Sequence, residues 1–497
     1  MNVGPLVIKR RNTMRIGLLV ALFSAGCTVG PNYKRPAAPV PASYQISAPW
    51  RQAQPKDSVP KTSWWTLFHD DELDSLESEL LASSQTLQVA VAHFNQARAS
   101  AAVQNATLFP TVGVDPSVSV ERYSANRPTG TSSPIAGSVT QGNYYIPFTV
   151  SYEVDLFGQR RRTIEASQAA YQANAADLGN VRLVLTAELA ADYFTVRELD
   201  SEIGITNRTV ETLTRGLQLV ESRHSGGVAS GLDVAQEETL LNTTRTQATL
   251  LQQTRKQFED AIAVLVGKPA PDFHLVSREL TAEPPGIDTA IPSDLLERRP
   301  DIAESERQMA IANAQIGIAK AAYYPSLQLY GQGGWNSQYI SRLVNAESGF
   351  WALGANVAQD IFSGGALHAQ VQYQQANYDA TVANYRDTVL NAFREVQDNI
   401  TGLEVLAAAR QSQADAVNSA RKQVDIATSR YVGGLVNYLD VVTAQQNLLS
   451  NEQEAAIIQG QRLVTSVLLV KALGGGWDAA SLDAIQLKPT ARDLVRQ

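Results

Sequence analysis

The chain has 497 residues, 44% of them hydrophobic, a formal net charge of −8 and one cysteine. The charge is spread out with no basic run longer than three residues, which sets nucleic acid aside as a partner. Beyond the N-terminus, no run approaches the ~18–20 apolar residues that a membrane-spanning helix needs.

Lys9, Arg10, Arg11 and Arg15 form a positive n-region, residues 16–23 are apolar, and Ser24-Ala25-Gly26-Cys27 follows. This order reads as a signal peptide over residues 1–26, outside the fold. Small residues before a lone cysteine resemble a bacterial lipoprotein signal. Cys27 would then be the lipidated first residue of the mature chain, held at a bilayer by its lipid. Ser24 departs from the branched apolar residue usual at that position. Thr28 after the cysteine resembles lipoproteins sent on to the outer membrane. Residues 27–63 carry Pro31, Pro36, Pro39, Pro41, Pro49, Pro55 and Pro60 and read as an extended, lipid-anchored tether.

Residues 70–107, rich in Ala, Leu, Gln and Ser without Pro or Gly, predict one long helix ending at Phe109-Pro110. Val112, Val114, Val118 and Val120 then alternate with small or polar residues, predicting a strand over 111–124. Residues 125–142 read as a loop and 144–157 as a second strand. Residues 161–224 contain no Pro and predict a helix of roughly 90 Å. Along it Val196, Leu199, Ile203, Thr206, Val210, Leu213, Leu217 and Val220 alternate spacings of three and four, a coiled-coil seam broken only by Thr206.

The second half copies this order. Residues 301–322 predict a helix, 326–332 a strand, 336–348 a loop and 351–362 a fourth strand. Ser222-Arg223 with Gly226-Gly227 and Asp233 returns as Ser429-Arg430 with Gly433-Gly434 and Asp440, 207 residues on. Phe109-Pro110 returns as Tyr324-Pro325 at an offset of 215, the gap shrinking by 8 as a loop-length difference would make it. The second seam is weaker: Leu403, Leu406, Val417, Ala420, Val424 and Ala427 fit, but Arg410 and Gln413 interrupt it. Each long helix ends at a glycine pair, which suits the left-handed residue at a helix end. Two helical hairpins result, with tips at 224–232 and 431–439.

Four strands of ~10 residues have the length of membrane-crossing β-strands. Four cannot close a barrel, and lipid tolerates no open edge. Strands that span a membrane would therefore have to be shared among several chains, which would also set the hairpins side by side as a tube.

At this point the chain resembles a known family, the TolC-like outer membrane factors of tripartite efflux systems, within the lipoprotein group named for nodulation protein T. The matching residues are Cys27-Thr28-Val29-Gly30-Pro31-Asn32-Tyr33-Lys34-Arg35-Pro36, then Trp64-Trp65 with Phe68, Asp70 and Leu73. The most specific run is Glu297-Arg298-Arg299-Pro300-Asp301-Ile302, followed by residues 312–321 and Tyr324-Pro325; Ala472-Leu473-Gly474-Gly475-Gly476-Trp477 resembles the C-terminal block. The resemblance implies a mostly α chain with a membrane β-barrel part, built of duplicated helix-strand-strand-helix units. Three chains would form a 12-stranded barrel above a long α-helical coiled-coil barrel. The divisions are then a signal over 1–26, the tether over 27–63, efflux repeats over 64–290 and 291–480, and a tail over 481–497.

No enzyme site is legible. His69, His93, His224, His274 and His368 are scattered without metal-ligand spacing. Phosphate-cradling and nucleophile-elbow patterns are absent, and no cofactor or metal is expected. Transport energy must come from partners: by resemblance, a periplasmic adaptor and an inner membrane transporter of the resistance–nodulation–division type. Asp440, present three times in a homotrimer, would form a ring of carboxylates and a candidate gate. In some relatives a second acid lies three residues on; here that position is Thr443. Arg223, Gly226, Gly227, Arg430, Gly433 and Gly434 would form the tips that dock the adaptor. Small-molecule efflux is the leading reading. An exit duct for type I protein secretion and a non-pore periplasmic coiled-coil lipoprotein are the alternatives.

Overall fold

The computed structural model describes residues 28–41, 44, 63–125, 137–287, 295–483 and 485. The predicted signal, the lipidation residue Cys27 and most of the predicted tail lie outside the described residues.

A 3-10 turn over Trp64–Phe68 precedes α1 (Asp71–Ser83) and α2 (Gln85–Ala106). The single helix expected here is broken. Asp70 caps α1 by accepting from the Glu72 and Leu73 amides. Ser84 then turns out of the helix at ψ 122°. Gly267 packs against this break: its φ is +73°, and a Cβ there would stand 2.5 Å from the Ser83 carbonyl oxygen.

The sheet contains β1 (Thr111–Val114), β2 (Ser117–Tyr123), β3 (Val139–Val154), β4 (Ser326–Ser337) and β5 (Gly349–Ala358), all paired antiparallel. The first expected strand is split into β1 and β2, which pair with β3 in one continuous register, Val114 opposite Phe148 and Ser117 opposite Tyr145. Pro116 lies in the gap and has no N–H to donate, so the ladder is interrupted without slipping. β3 starts before, and β4 runs beyond, the expected limits. β5 stops at Ala358, which leaves Ile361 and Phe362 outside the strand they were assigned to.

The helical part repeats in length as well as sequence. α3 (Gln159–Ser225) and α7 (Ala366–Val432) have 67 residues each; α4 (Gly231–Leu265) and α8 (Tyr438–Ala472) have 35 each. At 1.5 Å per residue the long helices span ~100 Å. Short helices α5 (Leu295–Arg298) and α6 (Pro300–Ala321) open the second repeat, and α9 (Ala480–Asp483) follows α8.

The first seam is buried as its spacing predicts: Val196, Thr206, Leu213 and Val220 are fully covered. Thr206 accepts from Gln453 of α8 at 2.9 Å, and Gln247 of α4 donates to Gln453. The lone polar position therefore ties three helices together. In the second seam Arg410 turns away to Glu283, while Gln413 donates to the Asn451 carbonyl at 2.9 Å.

Packing places the elements in three tiers with a common order. The sheet runs β1/β2–β3–β4–β5. Below it the helices pack as α2–α3–α6–α7, and toward the tips as α4–α3–α8–α7. β5 and α7 form one open edge at every level. The opposite edge is β1/β2, then α2, then α4.

Candidate functional site

Register divides the sheet into two chemically different faces. Val112, Val114 and Val118 stand opposite Val150, Phe148 and Tyr144. Through β4 this face continues to Leu327, Leu329, Trp335, Trp351, Leu353 and Val357. Trp351 and Leu353 are 79% and 78% exposed, and the valines of this face are exposed as well. The other face carries Thr149, Ser151, Glu153, Gln328, Gln332, Asn336 and Asn356, with Tyr145, Tyr330 and Phe350 among them. An apolar exposed face backed by a polar one is the alternation of a barrel strand between lipid and water. No helix among the described residues is long and apolar enough to cross a membrane.

Beneath the sheet the N-terminal segment straps the two repeats together. The Val29 amide donates to the Phe157 carbonyl at 3.1 Å. Buried Arg162 of α3 donates to the Asn32 side chain at 2.9 Å and to the Gly30 carbonyl. From α6, Asn313 donates to the Pro31 carbonyl, and Glu306 accepts from Tyr33 at 2.6 Å. Gly30 lies so close to Gly317 that a Cβ would meet its Cα at 2.5 Å.

A second buckle joins the start and end of the second repeat. Arg299 is buried and grips Asp301 with two parallel bonds, Nε–Oδ1 3.0 Å and Nη2–Oδ2 2.7 Å. Its Nη1 reaches Glu395 of α7 at 2.8 Å and the Ala472 carbonyl at the end of α8 at 3.0 Å. Gly474, at φ +92°, presses on the Arg298 carbonyl, leaving no room for a side chain. The most specific sequence blocks are thus parts of one joint. A third network was not legible in the sequence, because its members are far apart along the chain. Arg197 bonds Asp200, Glu72 and the Val276 carbonyl, and Arg255 bonds Asp200.

The hairpin tips are built alike. Gly227 and Gly434 are left-handed, at φ +73° and +70°. The Val228 and Leu435 amides donate back to the Arg223 and Arg430 carbonyls at 2.8 and 2.9 Å, closing each helix with a Schellman turn. Ser230 and Asn437 cap the returning helices.

The side chains break this symmetry. Asp233 accepts from the Ser230 amide at 3.1 Å, whereas exposed Asp440 makes no side-chain hydrogen bond among the described residues. Arg223 stacks over Tyr431 at 5.0 Å, and Tyr431 meets Tyr438 edge-on at 4.8 Å. Arg430 is exposed with no side-chain partner among the described residues. The first repeat's charges are held inside the tip and the second repeat's are presented outward.

Under the tyrosines lies Glu237, fully buried. Apart from the Tyr438 hydroxyl, which faces it, its carboxylate has no partner among the described residues. Burial pushes it from an ordinary 4.5 up to about 7. The folded tip therefore holds a proton that the unfolded chain releases, and tip stability falls as pH rises from about 4.5 through about 7. Glu237→Gln should flatten that loss. Amide hydrogen exchange of residues 213–244 across this range checks it, and equal slopes in both proteins would exclude Glu237 as the group responsible.

Residues 76–268 and 291–475 each match the family model described as outer membrane efflux protein. The chain belongs to the outer membrane efflux protein family. Among curated relatives it is similar to the probable efflux pump outer membrane protein SepC of Pseudomonas putida. The two are 30% identical over 476 residues, covering 94% of this chain and 97% of SepC. The toluene efflux pump outer membrane protein TtgF, from another strain of Pseudomonas putida, matches with the same figures, 30%, 94% and 97%. Among solved structures, the outer-membrane channel OprN superposes with a TM-score of 0.82 at 28% identity, over 91% of this chain and all of OprN. The fold is that of the TolC-like channels, with a helical barrel region and a β part, and the protein serves efflux at the outer membrane.

Proposed function

We propose that three copies of this efflux protein close into a 12-stranded barrel continuous with a helical tube, a passive exit duct for small molecules. The observation that carries this reading is the pair of open edges, in the same order at all three tiers. Edge strands in lipid need partners, and a head-to-tail contact that closes on rotation supplies them. The apolar sheet face meets lipid and the polar face lines the pore. Lipid on Cys27 holds the strap at the outer membrane.

A periplasmic adaptor docks on the tips, and a resistance–nodulation–division-type transporter energises export. Outward-facing Arg430 and the turns at Gly226-Gly227 and Gly433-Gly434 are the docking elements, with Arg223 bracing the tip from within. Three Asp440 carboxylates form a cation-favouring ring at the mouth. Its lack of an internal partner supports this role over simple capping.

The test is drug and solvent sensitivity of a deletion strain, with outer membrane fractions probed for a heat-labile trimer. Wild type should restore tolerance as a trimer. Bulky residues at Gly433 and Gly434 should abolish tolerance while the trimer remains. Asp440→Ala should weaken cation preference in planar-bilayer recordings. A soluble monomer that changes no sensitivity would refute the duct, and unchanged conductance and selectivity would remove Asp440.

A further inference from the structure

The two repeats carry related turns below the sheet, Asp-Leu-Phe-Gly in the first and the longer Asp-Ile-Phe-Ser-Gly-Gly in the second, but only the first is covered. In the first repeat Asp155-Leu156-Phe157-Gly158 leads from β3 into α3. Phe157 stacks on Tyr324 with ring centroids 4.6 Å apart. Its carbonyl accepts from Val29, and Thr28 fills the space where a Cβ on Gly158 would sit. In the second repeat Asp360-Ile361-Phe362-Ser363-Gly364-Gly365 leads from β5 into α7. Here Ile361 is 97% and Phe362 91% exposed, and a Cβ on Gly364 or Gly365 would meet nothing within 4 Å. The helices nonetheless start alike: Gly158 and Gly365 are both left-handed, at φ +85° and +89°.

The stacking partner is duplicated as well. Tyr324 sits in the turn between α6 and β4, and its amide donates to Ala321 at 3.0 Å. Phe109 sits in the matching turn between α2 and β1, and its amide donates to Ala106 at 3.1 Å. That turn lies on the opposite open edge of the molecule from Phe362. Within one chain Phe109 and Phe362 therefore stand on edges that do not meet, although each is half of a contact that the chain already makes once.

We propose that Ile361-Phe362 of one copy seats on the Phe109-Pro110 turn of the next, repeating between chains the Phe157–Tyr324 stack within the chain. This rests on the trimeric reading and adds the contact that locks its seams. Strand pairing agrees with it. The repeat offsets leave the β5-to-β1/β2 register open by steps of two residues, and a two-residue step keeps every side chain on its face. In each such register Val112, Val114, Val118 and Val120 of one copy share the apolar face with Trp351, Leu353 and Val357 of the other. The seam between copies has no equivalent of the Val29 strap, because each chain has one N-terminus and seats it on its own α3 and α6. Burying Ile361 and Phe362 removes from water two of the most exposed apolar side chains among the described residues.

The test places cysteines at Phe109 and Phe362 in the full chain and treats membrane fractions with a short bis-methanethiosulfonate spacer. The two single-cysteine chains control for Cys27. Phe157→Cys with Tyr324→Cys, linked within one chain, calibrates the reach of the spacer. Covalent dimers and trimers from the double variant alone are expected. A heat-labile trimer that fails to link, while the in-chain pair links, overturns the contact and leaves the trimer standing. A monomer overturns both. A second readout needs no cysteine: Phe362→Ala should shift trimer dissociation to lower temperature with the helix content unchanged, and an unshifted temperature counts against the contact.

Discussion

Replacing Arg299 with alanine should cost about 1.5–3 kcal/mol and lower accumulation of the folded channel. Arg299 is buried, and four acceptors depend on it: both oxygens of Asp301, Glu395 and the Ala472 carbonyl. Removing the guanidinium leaves the buried Ala472 carbonyl unpaired and takes from Asp301 its paired contact. It also unties α8 from α6 and α7 at the joint on which the second hairpin hangs. Arg299→Lys should recover only part of the loss, because an ammonium cannot make the paired Asp301 contact. Arg410→Ala is the matched control. Arg410 and its partner Glu283 are both about half exposed, and such a pair contributes less than about 1 kcal/mol. Denaturant unfolding and trimer yield check the comparison; equal losses at the two arginines would show that the joint is not special.

The second large effect should depend on which face of the sheet is changed. Leu353→Arg puts a charge on the exposed apolar face, at about 2–4 kcal/mol if mid-depth in the bilayer and less near its surfaces. Gln332→Arg lies on the polar face and should be tolerated. The two positions sit on adjacent strands, Gln332 opposite Ala352, next to Leu353. Local strand propensity cannot separate them, but lipid against water can. Assembly in outer membrane fractions is the readout. Equal tolerance of both arginines would mean that this face does not meet lipid.

Much of this architecture was legible because it repeats. The glycine pairs, the alternating valines and the three-four spacing on α3 are local signals. The backbone must answer them wherever they occur: a left-handed residue ends a helix, and a period of two or of three and a half selects strand or seam. The duplicated hairpins and strands, and the exposed apolar face that Val112 to Val120 begin, were already written in the order of residues. So was the family, through blocks such as residues 297–302.

Tertiary structure decided what those signals serve. Arg299 and Gly474 look like isolated motif residues until α6, α7 and α8 converge on them. The helix breaks at Ser84 where the Gly267 backbone comes against Ser83. Arg223 and Arg430 occupy the same place in the repeat, yet one stacks over Tyr431 of the other hairpin and the other faces outward. Phe157 and Phe362 are likewise equivalent by sequence, and only the strap and Tyr324 make one covered and the other open. A repeat in sequence fixes which conformations recur, since those depend on residues a few positions apart. Which copy is buried, paired or left facing outward depends on contacts between segments hundreds of residues apart.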